Sequence, residues 1–331
     1  MKRKSVVASA AASTVASNVA SPQVVARVPR AFVVLSSQFS VVPGTTTPSA
    51  RSRTFALERA GKRYFGKVLS PHERKEQSDL LVELWQKLER TGSQYEQSLF
   101  PRPEGMFAHE PHEDRVVVIV TEHAPGTDLF EYIKLKENGV PENVLRAVFT
   151  AVLRALFIMH ELGFVHGDVK PENVMVDVVG DEVRRVCLVD FGFTFRVDAP
   201  PTFKRMGTML YTAPEMIAGD EGRYSRALDA WAVGATLLTA FTRKSVGFFR
   251  DATLDKHKLE LATSSCPPAL GSLIARLMAP RESRISIAEA LESEWLMLTP
   301  RGRSSAAASL YRMWRRPLGT LDTSAGAAAT S

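Results

Sequence analysis

The chain has 331 residues, 45% hydrophobic and 24% charged, which supplies apolar material for one large domain or two small lobes. Its two cysteines, Cys187 and Cys266, exclude a disulfide scaffold and suit a reducing compartment. The net charge of +6 sits at the ends: residues 1–57 carry seven Lys/Arg and no acid, and residues 300–331 five Arg against Asp322. Residues 58–299, with 30 basic and 35 acidic residues, are net −5, so the basicity argues for no nucleic-acid partner.

In chain order, residues 1–50 read as a low-complexity basic tail that begins with MKRK and runs over 1–30 as Ala/Ser/Val repeats with little amphipathic order. Three readings compete for them: a disordered basic tail, an organelle-targeting transit peptide, or a weak secretory signal. The tail reading goes with a cytoplasmic or nuclear protein. Arg53–Arg59 and Arg63–Leu69 are strand-like around Ala60-Gly61-Lys62 and suggest a hairpin. Pro71–Arg90 is charged, carries Leu80, Leu81, Leu84 and Leu88 at helical spacing, and stops at Gly92.

Arg115–Thr121 is a dense β-branched run, as in a strand buried on both faces. Pro141 opens a helix with Leu145, Val148, Phe149, Val152, Leu156 and Met159 on one face, closed by Gly163. The longest apolar run, Ala230–Ala240, falls short of the roughly 18 residues of a membrane span and reads as a core helix. Residues 300–331 form a second, Ala-rich basic tail with Leu310, Tyr311, Met313 and Trp314 as a candidate docking patch. The order, strands first and helices later, predicts an α+β fold of two lobes, β-rich and then helical.

Chemistry concentrates after the long helix, in His166-Gly167-Asp168-Val169-Lys170-Pro171-Glu172-Asn173. Phosphoryl transfer to a hydroxyl needs a carboxylate to take the proton, a cation near the moving group and oxygen ligands for magnesium. Asp168, Lys170 and Asn173 supply all three within six residues. The bland alternative is a polar turn. A second carboxylate, Asp190, follows the strand Val186–Val189 and precedes Phe191-Gly192, where glycine permits a sharp turn. Farther on stand Gly207-Thr208 with Ala213-Pro214-Glu215, then Asp229-Ala230-Trp231, then Arg284.

In this order and spacing the motifs resemble the eukaryotic protein kinases over about residues 52–298, and the resemblance sets a domain at 51–299 with lobes at 51–123 and 124–299. It implies ATP and Mg²⁺ as cofactors and a protein substrate. Asp168 is then the catalytic base, Lys170 contacts the transferred phosphate, and Asn173 and Asp190 hold Mg²⁺. Glu215 looks like the ion-pair partner of Arg284. Lys170 and Thr208 resemble the serine/threonine branch. Lys67 matches the strand lysine that meets the α- and β-phosphates, with Glu83 as its helix partner and Glu76 as second choice; the usual Glu-x-x-x-Leu fails at Glu83, where Lys87 follows. Thr121, Glu122 and Ala124 resemble the adenine-binding hinge, Asp128 would reach the ribose, and Met175 would lie under the base. Glu172 and Asp128 also resemble positions that favour basic peptides.

Three departures stand out. Gly167 replaces the arginine of His-Arg-Asp, which normally gathers an activation-loop phosphate, so the loop should order without phosphorylation. No GxGxxG precedes the hairpin, and Pro43–Ser49 offers one glycine. Phe65 stands where a small alanine usually roofs the adenine site, predicting a crowded cleft. The alternatives are therefore a pseudokinase that acts as a binding module, and a small-molecule kinase, whose HGDxHxxN signature fails here at Lys170. Substrate identity and oligomeric state are not encoded in these motifs.

Overall fold

The computed structural model describes residues 39–42, 47–48, 53–69, 73–91, 93–109, 116–199, 208–219, 224–244, 249–250 and 253–298. The two tails, with the candidate patch at Leu310–Trp314, lie outside these residues, as do Thr202, Lys204 and Arg205.

Strands fill the first third of the chain. β1 (Ser40–Val41) and β2 (Thr47–Pro48) both pair antiparallel with β3 (Arg53–Arg59), which pairs with β4 (Lys62–Leu69). Ala60 and Gly61 make the turn at φ 50° and 73°, the left-handed geometry of a tight hairpin, one residue shorter than the sequence suggested. α1 (Glu73–Thr91) follows, then α2 (Gln94–Ser98), closed by a Ser93/Glu96 capping box. β5 (Pro103–His109) and β6 (Val116–Glu122) complete a six-stranded sheet of order β1-β3-β4-β6-β5, with β2 also on β3. The predicted stripe of α1 packs inward: Leu80, Leu81, Leu84, Trp85 and Leu88 are all buried. On the opposite face of the sheet a small cluster of Leu57, Tyr64 and Val120 is covered by Phe39 and Phe55. A Cβ at Gly66 would stand 2.5 Å from the Phe55 ring, which explains why glycine follows Phe65.

The rest is helical. β7 (Thr127–Asp128) and α3 (Leu129–Leu135) lead to α4 (Glu142–Glu161), whose predicted face from Leu145 to Met159 lies at the centre of the main core. α4 has the length and hydropathy of a membrane span, yet 67% of that apolar window is buried inside the fold, as in a core helix. Burial of each such side chain is worth about 1.5–3 kcal/mol, so α4 organises the lobe. β8 (Phe164–Val165), β9 (Val174–Val179), β10 (Glu182–Leu188) and β11 (Phe195–Arg196) lie at the cleft side of α4. β10 pairs with β9 and β11 with β8, both antiparallel. Then come α5 (Pro214–Ala218), α6 (Ala227–Thr242), β12 (Phe249–Arg250), β13 (Thr253–Leu254), α7 (Lys256–Ser264), α8 (Pro268–Leu277), α9 (Ile287–Leu291) and α10 (Glu294–Met297). The architecture is α+β, a sheet-rich N-terminal region on a helical C-terminal one.

Candidate active site

The segment between β8 and β9 is fixed from below by a buried carboxylate. Asp229, in the first turn of α6, accepts the N–H groups of His166 and Gly167, each at 2.9 Å, and meets His160 Nε2 at 2.8 Å. Burial pushes the Asp229 carboxyl up, but these bonds, His160 foremost, hold it below the ordinary carboxylate value. Gly167 takes φ 77°, a left-handed conformation that glycine adopts without a Cβ penalty. The unusual glycine of the triplet thus suits its backbone.

Above this anchor Asp168 is held by four donors. Its Oδ1 accepts from Thr208 N–H at 2.9 Å and Thr208 Oγ1 at 3.2 Å. Its Oδ2 accepts from Lys170 Nζ at 2.6 Å and Asn173 Nδ2 at 3.1 Å. Lys170 also donates to Thr208 Oγ1 at 2.8 Å, so carboxylate, cation and threonine form one closed network. The Pro171–Asn173 turn, with proline in its first position, aims Asn173 back at this carboxylate.

Asp190 follows β10 with φ 61°, a conformation costing a non-glycine residue about 1–3 kcal/mol, which the surroundings must enforce. Its Oδ1 accepts from Lys67 Nζ at 2.6 Å and from Gly192 N–H at 3.1 Å. Partial desolvation pushes the carboxyl up, yet the Lys67 ammonium dominates the opposing effects and holds it below the ordinary value. Phe191 turns inward and meets the His166 ring edge-on at 5.5 Å. A cleft of about 300 Å³ opens between the sheet and this segment, walled by Phe65, Lys67, Thr121, Met175, Asn173 and Asp190.

The expected Lys67–Glu83 pair is not made. Glu83 lies on the exposed side of α1 and both its oxygens take Arg196 Nη1 at 3.0 Å. Glu83 flanks the buried stripe of Leu80, Leu84 and Leu88, and its carboxylate is held by the Arg196 guanidinium. Glu76 lies on α1 among residues whose side chains are outside the described set. Asp128 also has a role the sequence did not reveal, capping α3 by accepting Glu131 N–H at 2.8 Å. It still lines the cleft, as do Glu122, Ala124 and the exposed Glu172. The N–H groups of Glu122 and His123 are taken by Arg102 and Arg63 carbonyls. Ala124, buried at the cleft edge, spends neither main-chain group on another described residue, so it suits a planar donor–acceptor edge such as adenine.

Two oxygens test the fit of a hard cation. Asn173 Oδ1 and Asp190 Oδ2 accept no hydrogen bond from the described residues, and both residues line the same cleft. No cluster of three or more His/Cys/Asp/Glu occurs among the described residues. One carboxylate and one amide oxygen, completed by water and phosphate, is a Mg²⁺-type set. β2 pairs with β3 through Thr47↔Thr54 and Pro48↔Arg53, and the sequence between these strands, Ser49-Ala50-Arg51-Ser52, contains no glycine.

The helical region is tied by Glu215, in α5. Both its oxygens meet Arg284, at 2.5 and 3.0 Å, and Arg284 also donates to the Ala227 and Ala279 carbonyls and lies over Trp231. This is the ion pair that the family resemblance implied. Asp229 and Arg196 were missed as site residues. Asp229 had a signal, the Asp-x-Trp motif; Arg196 had none, because its partner is 113 residues away.

Residues 105–296 match the sequence profile of the protein kinase domain. The chain is 32% identical over 176 residues to serine/threonine-protein kinase PSK2 of Saccharomyces cerevisiae, covering 52% of this chain and 15% of that protein. It is 28% identical over 210 residues to CBL-interacting serine/threonine-protein kinase 20 of Arabidopsis thaliana, 60% of this chain and 46% of the relative. With maternal embryonic leucine zipper kinase of Xenopus tropicalis it shares 30% over 190 residues, 55% and 28% of the two chains. The matches thus span less than half the length of each of these relatives. Since the profile covers more than half of this chain, and the Asp168 network and Asp190 fall inside it, the protein belongs to the protein kinase domain family.

Proposed function

We propose that the protein transfers the γ-phosphoryl group of ATP to serine or threonine hydroxyls of proteins. The observation that carries this reading is the Asp168 carboxylate locked between Lys170, Thr208 and Asn173, beside a cleft whose Asn173 Oδ1 and Asp190 Oδ2 accept no hydrogen bond from the described residues. Asp168 accepts the substrate hydroxyl proton, and Lys170 places positive charge where the phosphoryl group passes. Asn173 and Asp190 hold Mg²⁺, which supplies charge neutralisation on the phosphates when bound. Lys67 serves the α- and β-phosphates from β4, Ala124 and Glu122 meet adenine through the main chain, and Thr121 and Met175 flank the base.

The carboxylate that positions Lys67 is assigned to Glu76. Glu83 is committed to Arg196, and Glu-x-x-x-Leu is satisfied at Glu76, with Leu80 fully buried. Glu76→Gln should then raise the KM for ATP and lower turnover far more than Glu83→Gln does. Glu172, exposed at the cleft mouth, and the −5 charge of residues 58–299 favour basic peptides; acidic or proline-directed preference in a peptide library would contradict this. The domain spans 51–299.

The deciding assay is transfer from Mg²⁺-[γ-³²P]ATP to a generic basic protein, with Asp190→Asn as the metal control. Labelling by the wild type and loss of both labelling and Mg²⁺-ATP binding in Asp190→Asn support the proposal. The glycine-free Ser49–Ser52 favours one rival, a pseudokinase that acts by contact, and an unlabelled product with an intact fold would select it.

A further inference from the structure

The N-terminal helix is tethered to the C-terminal region at one point that the catalytic motifs do not include. Arg196 sits six residues after Asp190 on β11, a strand fixed to the helical region by Phe195↔Val165, Arg196↔Phe164 and the Val197 N–H to Gly163 carbonyl bond at 3.0 Å. From this base its guanidinium reaches both oxygens of Glu83 on α1 at 3.0 Å, while Nε meets Asp198 at 3.2 Å. The guanidinium also lies 4.9 Å from the centre of the buried Phe164 ring. Contacts from α1, β8 and the turn after β11 therefore leave the fork little freedom: Nη1 alone serves both Glu83 oxygens, while Nε serves Asp198, so the planar group bridges two carboxylates.

Gly167 stands where the family's arginine would be, with its N–H committed to Asp229 and no side chain to hold an anion. The Glu83 carboxylate already supplies an anion to the segment that begins at Asp190, without modification. We propose that Arg196 and Glu83 are positioning residues that form a built-in clamp, setting α1 against the Asp190 segment independently of phosphorylation. The proposal rests on the kinase reading for its effect on turnover but not for its effect on α1.

The pair is about two-fifths exposed, 37% for Arg196 and 45% for Glu83, so it adds little to global stability. Its effect is on one rigid-body coordinate, the placement of α1 and hence of the Lys67 environment. That separation of position from stability is measurable.

The experiment uses the full chain, phosphatase-treated, as wild type, Glu83→Gln, Arg196→Gln and the double variant. Turnover, amide exchange over residues 80–91 and the melting temperature are read together. Each single change should lower kcat by about 5–10-fold, within the usual range of coupling between sites. Each should also speed α1 amide exchange by about tenfold while leaving the melting temperature nearly unchanged. The double variant should be no worse than either single one, because the two side chains act as one unit. Arg196→Lys, keeping charge but losing the fork, should fall between. Wild-type kcat and exchange in both single variants, or effects that multiply in the double, would overturn the clamp. If the wild type transfers no phosphate, the kinase reading fails and exchange alone decides: faster in both singles and no faster in the double keeps the clamp, unchanged exchange removes it.

Discussion

The two regions of this molecule obey their family pattern to different degrees. In the helical region Asp168, Lys170 and Thr208 meet in one network, and Glu215 meets Arg284 as the family resemblance implied. In the sheet region Phe65 replaces a small roof residue, the strand junction lacks glycine, and Glu83 is drawn away by Arg196. On the proposed function, the difference follows from the chemistry each region would perform. Proton acceptance and metal binding need particular atoms at particular places, which few residue types supply. Covering a nucleotide needs shape and main-chain groups, which many side chains accommodate.

The sharpest way to break this contrast is at its most constrained point. Asp168→Asn keeps an acceptor oxygen and the size of the side chain but removes the proton acceptor. Turnover should fall about 10³-fold, the middle of the usual range for a general base, with ATP affinity and melting temperature preserved. Wild-type turnover in this variant would remove Asp168 from catalysis and the helical region's claim with it. Thr208→Ala comes next. It deletes the hydroxyl that donates to Asp168 and accepts from Lys170. Hydrogen bonds to charged groups are worth about 1.5–3 kcal/mol, so kcat should drop about 10–100-fold with KM for ATP little changed. A rise in KM without loss of kcat would mean that Thr208 orders the cleft and not the base.

How much was legible follows the same division. Local patterns were read well: the α4 stripe is buried from Leu145 to Met159, and the β3–β4 hairpin lies where the Ala60-Gly61 turn put it. Motif residues close in sequence, such as Asp168, Lys170 and Asn173, were legible because their geometry is set within one loop. β5, a strand running Pro103-Glu104-Gly105, was not, since proline and glycine argue against a strand and only pairing with β6 makes one. Glu83 failed for a related reason. A gap counted along the chain does not show that Arg196 stands opposite Glu83.

The next prediction tests the sheet region directly. Phe65 was expected to crowd the cleft, so that alanine would tighten ATP binding or leave it unchanged. The ring faces the cleft at 39% exposure, yet about 300 Å³ stays open beside it, at the low end of ordinary ligand pockets. An open ring offers the base a stacking face worth about 0.5–1.5 kcal/mol. Phe65→Ala should therefore weaken ATP binding by about three- to tenfold in a calorimetric titration. Tighter binding would restore the crowding argument and show that the sheet region is impaired as well as altered.

The smallest effect expected is that of the activation-loop phosphate. Elsewhere such a phosphate gains a few charge-assisted hydrogen bonds from an arginine on the catalytic loop, and each is worth about 1.5–3 kcal/mol. Here that position is Gly167, at φ 77°, and nothing on the loop replaces the guanidinium. Lys204 and Arg205 are neighbours of Thr202 in sequence but not members of the catalytic loop. Protein made in bacteria and treated with phosphatase should keep its activity within about twofold, and Thr202→Ala should match the wild type. Gly167→Arg sharpens the point, because it returns the arginine to a left-handed backbone position that costs about 1–3 kcal/mol. That variant should melt lower without gaining activity unless the loop is phosphorylated, and then only if the regained charge outweighs the strain. A hundredfold loss on phosphatase treatment of the wild type would show that an anchor exists outside the catalytic loop. Lys87 and Arg90, on the same helix as Glu83, would then be the cations to mutate first.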